Sequence, residues 1–213
     1  MVFRDLKIVI LLFSVATSLL GGCQTNSAND QKRNIAVELS DGDIAFRRGL
    51  GFVSDAVLVV NARGSYSHCG VVIHYNGEWC VVHAVPYEGD RLEDDKVYCE
   101  PIGEFYSTKK ASCGAIYRMQ GLDSLDREAI GSYVEHHFEA GTKFDHDYNL
   151  DNQERLYCSE LVWRAYLEVG RDLSQSRRTN VKLPPFYGTH IMPADIELND
   201  SLALIYSFIE ELK

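Results

Sequence analysis

Asn76-Gly77 restricts the fold of this chain more than any other feature. It stands between Ser67–Tyr75 and Glu78–Val85, two runs rich in Val, Ile and aromatic residues. Asn-Gly supplies the positive φ angles of a two-residue hairpin turn, and Pro86 stops the returning strand. Such a loop fixes the register. Tyr75 then faces Glu78, His74 faces Trp79, Gly70 faces His83 and His68 faces Val85. Opposed residues share a face, as do residues two apart. His68 and His83 are therefore diagonal neighbours on one face, roughly 6–8 Å apart. His74 has the same parity but lies at the turn end, about 20 Å from His68 by strand rise.

Around the hairpin, the pattern predicts strands at Ile44–Phe46, Val97–Glu100, Ala115–Met119 and Leu202–Phe208, and a helix within Leu50–Val60. Pro101 to Ser107 suits one helical turn. Asp123 or Ser124 caps a helix running to about Glu139, with Gly141 just beyond it. Phe144 to Asn149 is a polar, aromatic loop. Asp172 to Asn180 reads as a charged loop, and Pro184-Pro185 and Met192-Pro193 punctuate the tail. No internal repeat or second domain is visible.

A second feature points to chemistry. In Leu156-Tyr157-Cys158-Ser159-Glu160-Leu161-Val162-Trp163-Arg164-Ala165-Tyr166, apolar residues recur at helical spacing from Leu161, and Gly170 ends the run. Cys158 stands at the helix start, where unpaired N–H groups and the dipole favour a thiolate. A thiolate becomes a useful nucleophile when an imidazole can take and return its proton. His68 and His83, sharing a face, are the candidates. The same residue types also suit plainer roles. Buried Cys is commonly an inert small residue, His136-His137 fits a solvated helix face, and Asp145-His146-Asp147 fits a loop rich in capping groups. Glu160 suits the positive end of its helix.

The 213 residues, 46% hydrophobic, suffice for one domain with tails. The net charge of -10 argues against nucleic acid as a partner. Arg4 and Lys7 precede an apolar run, Ile8 to Val15, and Leu20-Gly21-Gly22-Cys23 resembles the bacterial lipobox. That resemblance implies a signal peptide over 1–22, lipid on Cys23, and a tether over 23–39 before a domain over 40–213. With Gln24 after the cysteine, it implies anchoring at the outer membrane, facing the periplasm. Besides Cys23 there are five cysteines: Cys69, Cys80, Cys99, Cys113 and Cys158. Most are expected to be buried small residues, not bridges. Alternation points Cys69 away from the face of His68, which disfavours a bridge from Cys69 to Cys158. No zinc-like spacing is present, so neither metal nor cofactor is expected.

Ser67-His68-Cys69-Gly70-Val71-Val72, the hairpin, His83, Phe144-Asp145, and Tyr157-Cys158-Ser159-Glu160-Leu161-Val162 together resemble the circularly permuted papain-like proteins of the NlpC superfamily, in the YaeF/YiiX-like group. The likeness spans roughly Asp41 to Asp195. The histidines precede the cysteine, an order shared with lecithin:retinol acyltransferase-like enzymes. The resemblance implies an α+β fold, with an antiparallel sheet packed against helices including the cysteine helix. It also implies a cysteine amidase or peptidase working through an acyl-enzyme. Cys158 would attack, His68 would exchange the proton and His83 would orient His68. The Cys158 N–H, assisted by Tyr157, would hold the oxyanion. The expected substrate is a peptide, an amide or a lipid. A lipid-directed acyltransferase or thioesterase, and a silent binding module, remain open as alternatives, as does the oligomeric state.

Overall fold

The computed structural model describes residues 31–60, 63–86, 95–182 and 187–209. The expectations for the signal peptide, Cys23 and Pro184-Pro185 lie outside these residues. The elements, in chain order, are β1 (Ile44–Arg48), α1 (Phe52–Val60), β2 (His68–Tyr75), β3 (Glu78–Val85), β4 (Lys96–Pro101), α2 (Ile102–Phe105), β5 (Cys113–Met119) and α3 (Ser124–Glu139). There follow β6 (Lys143–Phe144), β7 (Arg155–Leu156), α4 (Cys158–Leu167), β8 (Thr179–Val181), β9 (Gly188–His190), α5 (Pro193–Glu197) and β10 (Leu202–Ile209). Eight strands form one sheet in the order β10-β5-β1-β2-β3-β4-β6-β7, and β8 pairs with β9 separately. Every step in the large sheet is antiparallel except β6–β7.

The hairpin forms as its turn requires. Asn76 and Gly77 sit at φ 49° and 90°, and the register runs from Tyr75↔Glu78 back to Val71↔Val82. Because the register is fixed, alternation decides what each face of the sheet buries. One face carries Ile44, Phe46, Cys69, Val71, Ile73, Val82, Ala84 and Val97. Onto it pack Ile130 and Val134 of α3, and Leu161, Val162, Ala165 and Tyr166 of α4. Leu161 and Val162 are wholly buried, each contributing roughly 1.5–3 kcal/mol. The other face carries Ala45, Val72, Val81 and Ile116, covered by Ile102 and Phe105 of α2 and by Tyr106. Asp123 caps α3 as predicted, accepting from the N–H groups of Leu125 and Asp126.

Residues 31–39 differ from the expected tether. Ile35, Val37 and Leu39 pack on the α2 face, the Arg33 N–H donates to Gly103, and the Arg33 guanidinium lies over the Phe208 ring. The packed body therefore begins before residue 40. The alternation of Ile35, Val37 and Leu39 is the signal for this. The end of the charged stretch 172–180 and the Met192-Pro193 tail also acquire regular structure, as β8 and α5. Asp195 joins them: its carboxylate accepts from Met192 N, Thr179 Oγ1 and the Arg63 guanidinium. Among the described residues no helix is long and apolar enough to cross a membrane.

Candidate active site

Tyr157 enters α4 in extended conformation (φ -98°, ψ 170°) and no side chain caps the helix. The first-turn N–H groups thus lie at Cys158 without a capping oxygen. The Cys158 thiol is only partly exposed. It is held well below the ordinary thiol range by a hydrogen bond from the Cys69 thiol, against the opposing effect of burial, and by His68, which both hydrogen-bonds it and attracts its charge. The reciprocal effect falls on Cys69, which burial and that same bond push well up. All five of these cysteines are free thiols. Alternation across His68 and Cys69 holds, since Cys69 joins the helix-covered core while the His68 ring packs near Phe105 of α2. Yet Cys158 meets both. The helix start lies beside the beginning of β2, where His68 is the terminal residue and can reach the thiol from its own face.

The two histidines meet as the register requires. His68 Nε2 lies 2.8 Å from His83 Nδ1, and the rings are edge-on with centroids 5.0 Å apart. Gly70 makes this possible. A Cβ there would lie 2.8 Å from His83 Cβ and 2.7 Å from the Val82 carbonyl oxygen.

A family model, that of the permuted papain-like amidases of the YaeF/YiiX type (C92), matches residues 38–184. The chain belongs to this family. Its fold is similar to the crystal structure of the metalloprotein yiiX from Escherichia coli O157:H7, with a TM-score of 0.65 at 18% identity over 80% of this chain and 98% of that one. No curated protein matches the chain. Membership places the protein among cysteine hydrolases of the amidase type, and the α+β permuted papain-like fold that the resemblance implied is the one observed.

In this amidase the histidine pair continues into a carboxylate that sequence reasoning missed. His83 Nε2 lies 3.0 Å from Glu100 Oε1 on β4. Lys110 Nζ (2.6 Å) and the Arg47 guanidinium (3.3 Å) also bind Glu100. Burial alone would raise the Glu100 pKa, but His83, Lys110 and Arg47 outweigh it and hold the carboxyl well below its usual range. His83 is completely buried, and desolvation lowers its pKa to about 4. From these facts we assign the protons. A neutral His83 facing a carboxylate keeps its proton on Nε2, so Nδ1 accepts. His68 must then donate from Nε2, which leaves its Nδ1 for the Cys158 sulfur. Phe105 packs against both rings and the Arg47 guanidinium.

Tyr157 is buried, and its hydroxyl accepts from Ile191 N at 3.1 Å. It braces the helix start against the β9–α5 segment. His74 is exposed beside Trp79 at the turn end. His137 hydrogen-bonds Thr142, just beyond the end of α3. Asp145 accepts from the N–H groups of Asp147 and Asn149, as a loop-capping residue does. Glu160 is fully buried beside Arg164, and burial raises its pKa to about 7. A cavity of about 350 Å³ opens beside Cys158 and His68, with largely apolar walls.

Proposed function

We propose that the protein hydrolyses an amide through a thioester on Cys158. The observation that carries this reading is the chain of contacts from the Cys158 thiol through His68 and His83 to Glu100. Cys158 attacks the carbonyl as a thiolate. His68, protonated on Nδ1, returns its proton to the departing amine, then activates water against the thioester. His83 fixes the His68 tautomer and ring, and Glu100 fixes His83. The uncapped Cys158 N–H is the oxyanion donor we assign. Tyr157, whose hydroxyl is engaged by Ile191 N, acts as a brace in this reading.

The relative yiiX is a metalloprotein. Here, among the described residues, no three His, Cys, Asp or Glu side chains group to hold a metal ion, and no step above runs through one. The lipobox-like Cys23 supports a site of action at the cell envelope, with the domain anchored to the outer membrane and facing the periplasm. The lowered thiol weighs against a silent binding module. Mass spectrometry of the protein quenched during turnover of an activated acyl substrate tests the proposal. An acyl adduct on Cys158, absent in Cys158→Ala and strongly reduced in His68→Ala, is expected. Equal turnover in either folded variant would overturn it.

A further inference from the structure

We propose that the outer face of α1 docks on a lipid bilayer, with Leu50, Phe52 and Val59 entering the headgroup layer; this rests on the envelope anchor at Cys23 proposed above. α1 reads Phe-Val-Ser-Asp-Ala-Val-Leu-Val-Val, with Asp55 as its one charge. A helix apolar on nearly every side is ordinarily buried, and a surface helix keeps a polar outer face. Here Val57 is the buried residue of the helix, packed with Val181 and Met192. Phe52 is 86% exposed, Val59 68% and Leu50, just before the helix, 55%. Phe52 and Val59 stand two helical turns apart and so share the outer face. Exposed apolar patches of this kind mark interaction surfaces.

Two observations select a bilayer as the partner. The first is where the anchor meets the body. Only residues 24–30 separate Cys23 from Gln31, a link that spans at most ~26–29 Å when fully extended. Gln31 is fastened to the body: its N–H donates to Thr108 Oγ1, and its carbonyl accepts from the Thr108 N–H. Close by in the chain is Lys110, whose carbonyl oxygen would lie 3.8 Å from a Cβ on Gly49. Gly49 directly precedes Leu50. The anchor therefore joins the body at the same end as the exposed start of α1. The second observation is charge. Arg48 and Lys109 are exposed at this end, as is Lys32 with 70% of its side chain, on a chain whose net charge is -10. An apolar tip with a cationic rim suits anionic headgroups.

The contact need not be strong. Tethering gives an effective concentration in about the millimolar range, so an interface too weak to hold a free protein still orients an anchored one. Because α1 borders the opening to Cys158, docking sets that opening at the bilayer surface.

The lipidated protein, reconstituted in vesicles of phosphatidylethanolamine and phosphatidylglycerol brominated next to the headgroup, tests this. Phe52→Trp and Leu125→Trp each add one fluorophore, read as the difference from the wild-type signal of Trp79 and Trp163. Leu125 is also exposed but lies at the other end of β1, where the Arg127 guanidinium binds the Asp41 carbonyl. The tryptophan added at position 52 should lose most of its fluorescence to the bromines, while the one at position 125 keeps its own. Val59→Glu, added to Phe52→Trp, should restore much of the lost signal, with an unchanged circular dichroism spectrum. Equal quenching at the two positions, or none at position 52, in protein that floats with the vesicles overturns the docking and leaves the anchor standing. Quenching at position 52 that ignores Val59→Glu overturns the assignment of this helix face. Mass spectrometry showing Cys23 unacylated overturns the anchor, and this proposal with it.

Discussion

Gly70→Ala puts a methyl group where β2 and β3 leave no room. The new Cβ would lie 2.6 Å from Val81 Cγ1, 2.7 Å from the Val82 carbonyl oxygen and 2.8 Å from His83 Cβ. The Val81 methyl can turn aside. The carbonyl and the His83 Cβ belong to the β3 framework and can only move with it. To reach ordinary contact at 3.4 Å, the carbonyl must retreat about 0.7 Å. Overpacking of this kind costs about 1–3 kcal/mol. The same retreat carries His83 away from His68. Their 2.8 Å hydrogen bond would open to about 3.5 Å, where little remains of it. Misplacing a positioned group by about 1 Å can cost on the order of 10²-fold in rate. Urea unfolding should therefore show the stability loss. Formation of acyl-Cys158 from 4-nitrophenyl acetate, followed by mass spectrometry, should slow by about 10- to 100-fold. A variant with wild-type stability and a wild-type acylation rate would refute the packing argument and the role given to the His68–His83 contact.

Other outcomes follow from the same geometry. Glu100→Gln should destabilise by about 2–3 kcal/mol in urea unfolding; the loss stays below the ~3–5 kcal/mol of a fully buried pair because Lys110 is one-third exposed. It should also alter the pH profile of acylation, whereas an unchanged profile would remove Glu100 from the relay. His83 is buried neutral, with its pKa lowered from 6.5 to about 4. Between those values the unfolded chain binds more protons, so stability should be lost as the pH is lowered from about 6.5 to about 4, by about 3 kcal/mol in wild type. His83→Asn should lose most of that slope in acid titrations of the urea midpoint. Gly131→Ala is the opposite case to Gly70. Its Cβ would meet only Ile73 Cγ2 at 3.8 Å inside α3, so the variant should gain about 0.5–1 kcal/mol.

The parts of the site that local rules determine were legible in the sequence. Asn76-Gly77 specified a two-residue turn, and the turn fixed which residue faces which, so the meeting of His68 and His83 could be counted out. The periodicity of Leu161, Val162, Ala165 and Tyr166 likewise placed Cys158 at a helix start. Glu100 was not legible. The link from Pro86 to Asp95 is too long to set a register, so nothing in the sequence says which β4 residue lies beside His83. Arg47 and Lys110 reach Glu100 from β1 and from the stretch after α2, contacts that only tertiary packing defines. Cys69 forms no bridge to Cys158, as expected, but its hydrogen bond to that thiol was not legible, for a different reason. Alternation gave its face correctly, but a helix end beside a strand end can touch residues of both faces. The sequence also hid β8 and α5, whose order depends on buried Asp195 gathering Met192, Thr179 and Arg63.

The account rests on a Cys158 thiol whose proton is lost easily because Cys69 and His68 stabilise the thiolate. The most direct measurement is the pH dependence of Cys158 alkylation by iodoacetamide, with the modified residue read by mass spectrometry, in wild type, Cys69→Ala and His68→Ala. Wild type should react well below the pH at which an ordinary thiol, with a pKa of about 8.5, begins to do so. Both variants should shift upward in pH, because each removes a group that stabilises the thiolate while burial of the sulfur remains. A wild-type profile centred at or above the ordinary thiol value, or three superimposable profiles, would contradict the central claim.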